Sequence, residues 1–147
     1  MILDRLKTLI AGPSGGTPDP EAEIRTAAAA LLLTMIRADH AIDERERASV
    51  TTSLSRLTGL SGPDLETLIE TAEAEVDESV SLHDFTRILH RQQTREEKFE
   101  LVTCLWRVAA ADGEIDPEEE LLVRKVAGLL YLPHEEFIRA KQEALRS

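Results

Sequence analysis

The segment Ala38-Asp39-His40-Ala41-Ile42-Asp43-Glu44-Arg45-Glu46 aligns without gaps on Ala111-Asp112-Gly113-Glu114-Ile115-Asp116-Pro117-Glu118-Glu119, an offset of 73 residues. Identities fall at Ala, Asp, Ile, Asp and Glu. The match continues outward as apolar character: Leu32 falls on Leu105, Leu33 on Trp106, Met35 on Val108, Val50 on Val123 and Leu57 on Leu130. After a one-residue gap, Leu60 and Leu65 fall on Leu132 and Phe137. Self-similarity of this kind means two copies of one supersecondary unit that bury their apolar faces together. Two helix-loop-helix halves with pseudo-twofold pairing are therefore expected, near residues 27–68 and 101–140.

Local signals agree. Asp19-Pro20 reads as an N-cap followed by proline at the first helical position, leading a helix to about Ala38. Further starts stand at Asp43, at Ser61-Gly62-Pro63-Asp64, at Ser81-Leu82-His83-Asp84, at the capping box Thr94-Arg95-Glu96-Glu97, at Asp116-Pro117 and at Pro133. No segment alternates apolar and polar residues as a half-buried strand does. The fold class is all-α: a single-domain helical bundle of about seven to eight helices. Residues 1–11 add a short amphipathic helix through Ile2, Leu3, Leu6, Leu9 and Ile10, and a Gly/Pro-rich linker follows it. The boundaries are thus residues 1–20 for helix and linker and residues 21–147 for the helical domain.

Charge and cysteine content narrow the chemistry. Lys plus Arg number 17 against 28 Asp plus Glu, a net charge of −11 that repels phosphate backbones. Nucleic acid is not expected as a partner. The apolar run from Ala27 to Ile36 is far shorter than the roughly 20 residues of a membrane span, and no signal peptide is apparent. Residues 1–11 leave open a contact with a membrane surface or a partner helix. The single cysteine, Cys104, lies in an apolar run, so neither an intramolecular disulfide nor a Cys-based zinc site can form. A cytoplasmic location is expected.

The repeated acidic segment carries whatever chemistry the chain has. Asp112-Gly113-Glu114-Ile115-Asp116-Pro117-Glu118-Glu119 reproduces the second half of an EF-hand loop, D-G-x-I-D-x-x-E. The first half is missing, because Val108 and Ala110 stand where ligands would be, as do Met35 and Arg37 in the other copy. His40 also replaces the turn glycine. One reading of the same residues needs no metal: Asp43 and Asp116 sit where N-caps belong, and Glu46 and Glu119 take the reciprocal capping-box position. That reading leaves Asp39 and Asp112 unexplained, since a carboxylate at a helix C-terminus opposes the helix dipole. A bound cation or a loop hydrogen bond would offset the conflict.

The A-D-G-x-I-D-x-x-E segment after an apolar helix, its degenerate copy upstream and the acidic all-helical chain together resemble the TerB-like tellurite-resistance domain. The resemblance spans residues 21–144. It implies a helical fold with two related halves and clustered carboxylates that bind a divalent metal, in bacterial proteins linked to tellurite and other stresses. Carried onto this chain, the metal-binding carboxylates are Asp112, Asp116 and Glu119, with Asp39, Asp43 and Glu46 as their counterparts. Calcium or magnesium suits such oxygen ligands better than zinc.

The remaining candidates read as structure. His83 and His90 are seven apart on one helix without a third ligand beside them, and Trp106, Phe99 and Phe137 read as core anchors. No nucleophile elbow, Cys-His signature or phosphate loop occurs. The expected function is a non-enzymatic TerB-like module that binds a divalent cation at its acidic corners and contacts other proteins in a stress response. Two alternatives stand beside it: a metal-independent helical interaction scaffold, and a hydrolase using paired carboxylates around a metal.

Overall fold

The structure, a computed structural model, describes residues 20–37, 44–77 and 82–146. The amphipathic helix and the linker expected over residues 1–20 lie, but for Pro20, outside the described residues. Seven helices occupy the described chain: α1 (Pro20–Arg37), α2 (Glu44–Thr58), α3 (Gly62–Asp77), α4 (Leu82–Gln92), α5 (Arg95–Ala109), α6 (Pro117–Leu129) and α7 (His134–Arg146). No strand occurs among the described residues.

The helix order reproduces the repeat. α2 begins at Glu44 and α6 at Pro117, the 73-residue offset of the aligned motifs. α1 rests mainly on α3, as α5 rests mainly on α7, while α2 packs on α5 and α1 crosses α5. α4 stands between the halves in sequence and packs on α1 and α6.

Apolar patterning explains which helices are central. From Ala27 to Ile36 every residue except Thr34 is buried, and so are Leu101 to Trp106, Val108 and Ala109. A helix apolar on all sides has to be covered on all sides. α1 accordingly touches α2, α3, α4, α5 and α6. Its Ala27 to Ala30 run presents only methyl groups, which lets neighbouring helices approach closely. Each fully buried Leu or Phe contributes roughly 1.5–3 kcal/mol. Trp106 is completely buried and its ring centroid lies 5.4 Å from that of Phe137, which joins α5 to α7.

Helix ends follow the expected cap chemistry, with one exception. At the start of α5 the Glu97 amide donates to Thr94 Oγ1 at 3.1 Å and the Thr94 amide donates to Glu97 Oε1 at 2.7 Å, the reciprocal box read from sequence. α6 ends in a Schellman motif, the Leu132 amide donating to the Ala127 carbonyl at 3.0 Å and the Tyr131 amide to that of Gly128 at 3.1 Å. The left-handed residue there is Tyr131, at φ 59°, where glycine is the usual occupant.

Candidate functional site

The second acidic corner begins where α5 ends at Ala109. The Ala110 amide still donates to the Trp106 carbonyl at 3.0 Å, and the next turn tightens, with Ala111 donating to Val108 at 3.2 Å and Gly113 to Ala110 at 3.0 Å. Gly113 then takes φ 94°, a conformation that an L side chain resists, and reverses the chain. Asp112 Oδ1 accepts the Glu114 amide at 3.1 Å, a local Asx turn. That is the loop hydrogen bond required by a carboxylate at a helix C-terminus.

Asp116 caps α6. Its Oδ1 accepts the Glu118 amide at 2.8 Å, its backbone is extended, and Pro117 follows at the first helical position. Both aspartates are half-buried. Only Oδ1 of each is engaged among the described residues, so the second oxygen of each carboxylate remains available. Glu119, expected at a capping-box position, has its side chain buried at 2% exposure, and Asp116 caps the Glu118 amide instead. The structure thus holds Asp112 and Asp116 on one short loop and turns Glu119 toward the core.

Of the first corner, Asp39 and Asp43 lie outside the described residues. Glu46 is described and is buried at 1% exposure, matching Glu119. Among the described residues no three His, Cys, Asp or Glu side chains form a group able to hold a metal. The absence of an EF-hand has a structural reason: Val108, at the first loop position, is a fully buried residue inside α5.

Sequence reading missed the burial of these glutamates, and a signal for it existed. Glu46, Val50 and Ser53 are spaced by four and three, as are Glu119, Val123 and Val126, and Leu65, Leu68, Ala72 and Glu75 continue the same stripe on α3. All of these residues are buried, Glu75 completely. The Arg/Glu alternation at the start of α2 is a solvated face only in part. Glu44, Arg45 and Arg47 are exposed, Arg47 Nη2 lies 3.5 Å from Glu73 Oε1, and Glu46 points inward.

Beside the corner lies an open groove of about 790 Å³, with Arg107, Gly113, Ile115, Lys141 and Leu145 in its wall. Lys141 Nζ stands 5.0 Å above the Trp106 ring and 3.3 Å from Glu120 Oε1, so it ties α7 to both α5 and α6. No helix among the described residues is long and apolar enough to cross a membrane.

Comparison with known proteins agrees with this architecture. A protein of unknown function, PG1108 from Porphyromonas gingivalis W83, has a crystal structure similar to this chain at a TM-score of 0.64 and 21% identity, covering 86% of this chain and 96% of that one. That likeness is one of fold. No curated protein matches the sequence. The family model described as tellurite resistance protein TerB matches residues 25–142, a span that takes in most of α1, all of α2 to α6 and most of α7. The helical halves, the glycine-turned acidic corner and that match together make this chain a member of the TerB family.

Proposed function

We propose that the protein is a non-enzymatic adaptor of the bacterial cytoplasm, acting in the response to tellurite and related stress, whose second acidic corner takes up a hydrated divalent cation. The observation that carries the reading is the pair of aspartates on one loop, each with one oxygen committed to the backbone and the other available. Two carboxylates with water in the remaining positions suit magnesium, which keeps several waters and needs few protein ligands. Calcium, which takes six to eight oxygens, would draw more on backbone carbonyls and solvent here. Asp39, Asp43 and Glu46 are the counterpart set in the first half.

A second reading is favoured by the same two hydrogen bonds. Asp112 closes a turn and Asp116 caps a helix, so both carboxylates have structural duties in a metal-independent interaction scaffold. Asp112→Asn separates the readings. With chelator present it should melt within about 0.5 kcal/mol of wild type, because asparagine keeps the Asx turn. In millimolar magnesium or calcium, wild type should gain RT ln(1 + [L]/Kd) and the variant should gain less. Equal melting of the two proteins across magnesium, calcium, manganese and zinc would eliminate the cation reading and leave the scaffold.

A further inference from the structure

We propose that a cleft between α2 and α5, about 200 Å³ in volume and lined by Ser49, Thr52, Ser53, Arg56 and Arg107, binds a single phosphate-like oxyanion. Ser49, Thr52, Ser53 and Arg56 follow one another at i, i+3, i+4 and i+7, so they share one face of α2. The packing of α2 on α5 brings Arg107 to that face. The lining is three hydroxyls and two guanidinium groups, with no carboxylate among the five. Guanidinium forks and hydroxyl donors are the groups that match the oxygens of a tetrahedral anion.

The cations of the cleft, like several others on the chain, have no carboxylate partner among the described residues. Arg25, Arg47, Arg95, Arg139 and Lys141 each pair with a glutamate. Neither Arg56 nor Arg107 does so among the described residues. Arg107 Nη1 is buried without a hydrogen-bond partner, a costly state for a charged donor. Arg107 shares a side-chain hydrogen bond with Cys104, but burial holds that thiol neutral, so the charge of the guanidinium is not neutralised by it.

Two of the three hydroxyls are uncommitted as well, Ser53 being hydrogen-bonded to Cys104. Thr51 and Thr58, elsewhere on α2, donate to the Arg47 and Leu54 carbonyls at 3.1 and 2.6 Å. Ser49 and Thr52 make no such bond among the described residues. Nor does the repeat require this set: the equivalent positions of the second half are Leu122, Lys125, Val126 and Leu129. The cleft is smaller than the roughly 300–1,000 Å³ of typical organic-ligand pockets, which fits one anion. The opposing influence is the adjoining cavity, whose lining includes Arg56 together with Glu96, Glu97 and Glu100.

The test is a titration of the full-length, isotopically labelled protein with inorganic phosphate, at ionic strength held constant with chloride and followed by amide chemical shifts. Saturable shifts confined to residues 49–56 and the neighbourhood of Arg107 are expected, with Arg107→Gln weakening the apparent Kd at least about tenfold. Should Arg107→Gln fail to fold, Thr52→Val at an exposed position should still weaken binding several-fold. O-phosphoserine distinguishes the sources: binding at least as tight as phosphate points to a phosphorylated side chain, and weaker binding to the free anion. Shifts that never saturate, or that are the same in wild type and the variants, would overturn the proposal.

Discussion

Glu46 and Glu119 occupy equivalent positions, the third residue of α2 and of α6, and both are buried, at 1% and 2% exposure. Their neighbour Glu118, one residue earlier on α6, is exposed. The carboxylates of the second corner therefore divide into Glu119, turned inward as Glu46 is and belonging to the fold, and the half-buried Asp112 and Asp116 of the loop. A carboxylate is kept inside a protein only where its surroundings compensate for lost hydration. Removing it disturbs those surroundings as a core substitution does.

Glu46→Ala and Glu119→Ala should accordingly each lower stability by about 2–4 kcal/mol, the range for disrupting a buried polar group. Glu118→Ala should stay within about 0.5 kcal/mol of wild type. Urea unfolding of the three variants checks this. A small effect at Glu119 would mean that its side chain is dispensable to the core.

The cap at Asp116 has its own signature. Asp116→Ala loses the acceptor for the Glu118 amide and should cost about 1 kcal/mol, while Asp116→Asn keeps an acceptor and should cost a few tenths. Thermal melting in chelator reads the cap alone. Equal losses for the two variants would show that the carboxylate charge, and not the hydrogen bond, carries the stabilisation.

Two glycines should respond with opposite signs. A Cβ on Gly113 would touch nothing within 4 Å, so Gly113→Ala costs only what its φ of 94° demands, about 1–2 kcal/mol. Gly128 lies within α6 with the same open surroundings, and Gly128→Ala should stabilise by about 0.5–1 kcal/mol. Paired denaturation curves measure both. If Gly113→Ala proves neutral, the corner has a second low-energy conformation.

Cys104 sets a pH dependence. Burial raises its thiol pKa, with a hydrogen bond from Ser53 and the charge of Arg107 pulling less strongly the other way. The folded pKa therefore exceeds the unfolded one, near about 8.5. Stability from the neutral thiol is fully present below that pH and is lost as pH rises through the folded value. Wild type should lose stability relative to Cys104→Ala between pH 8 and 10 by about 1.4 kcal/mol per pH unit at most. A constant difference across that range would mean that the thiol ionises as easily folded as unfolded.

Much of this protein was legible in its sequence, because the deciding signals are local. Apolar residues at helical spacing, prolines at first helical positions and the Thr94–Glu97 box depend on neighbours within one or two turns, so seven helices and their starts could be read from order alone. The repeat added the equivalence of α2 and α6 and, through Asp112, Gly113 and Asp116, the form of the second corner. The direction of Glu46, Glu75 and Glu119 depended on which stripe of each helix met a neighbour. Tyr131 takes a glycine's conformation with no local signal for it, its ring centroid 4.6 Å from that of His90 on α4. The cleft of Arg56 and Arg107 joins residues about 50 positions apart through the crossing of α2 and α5. Side-chain chemistry is a property of the sequence, but which groups share a space and which lose their water is decided only when helices pack.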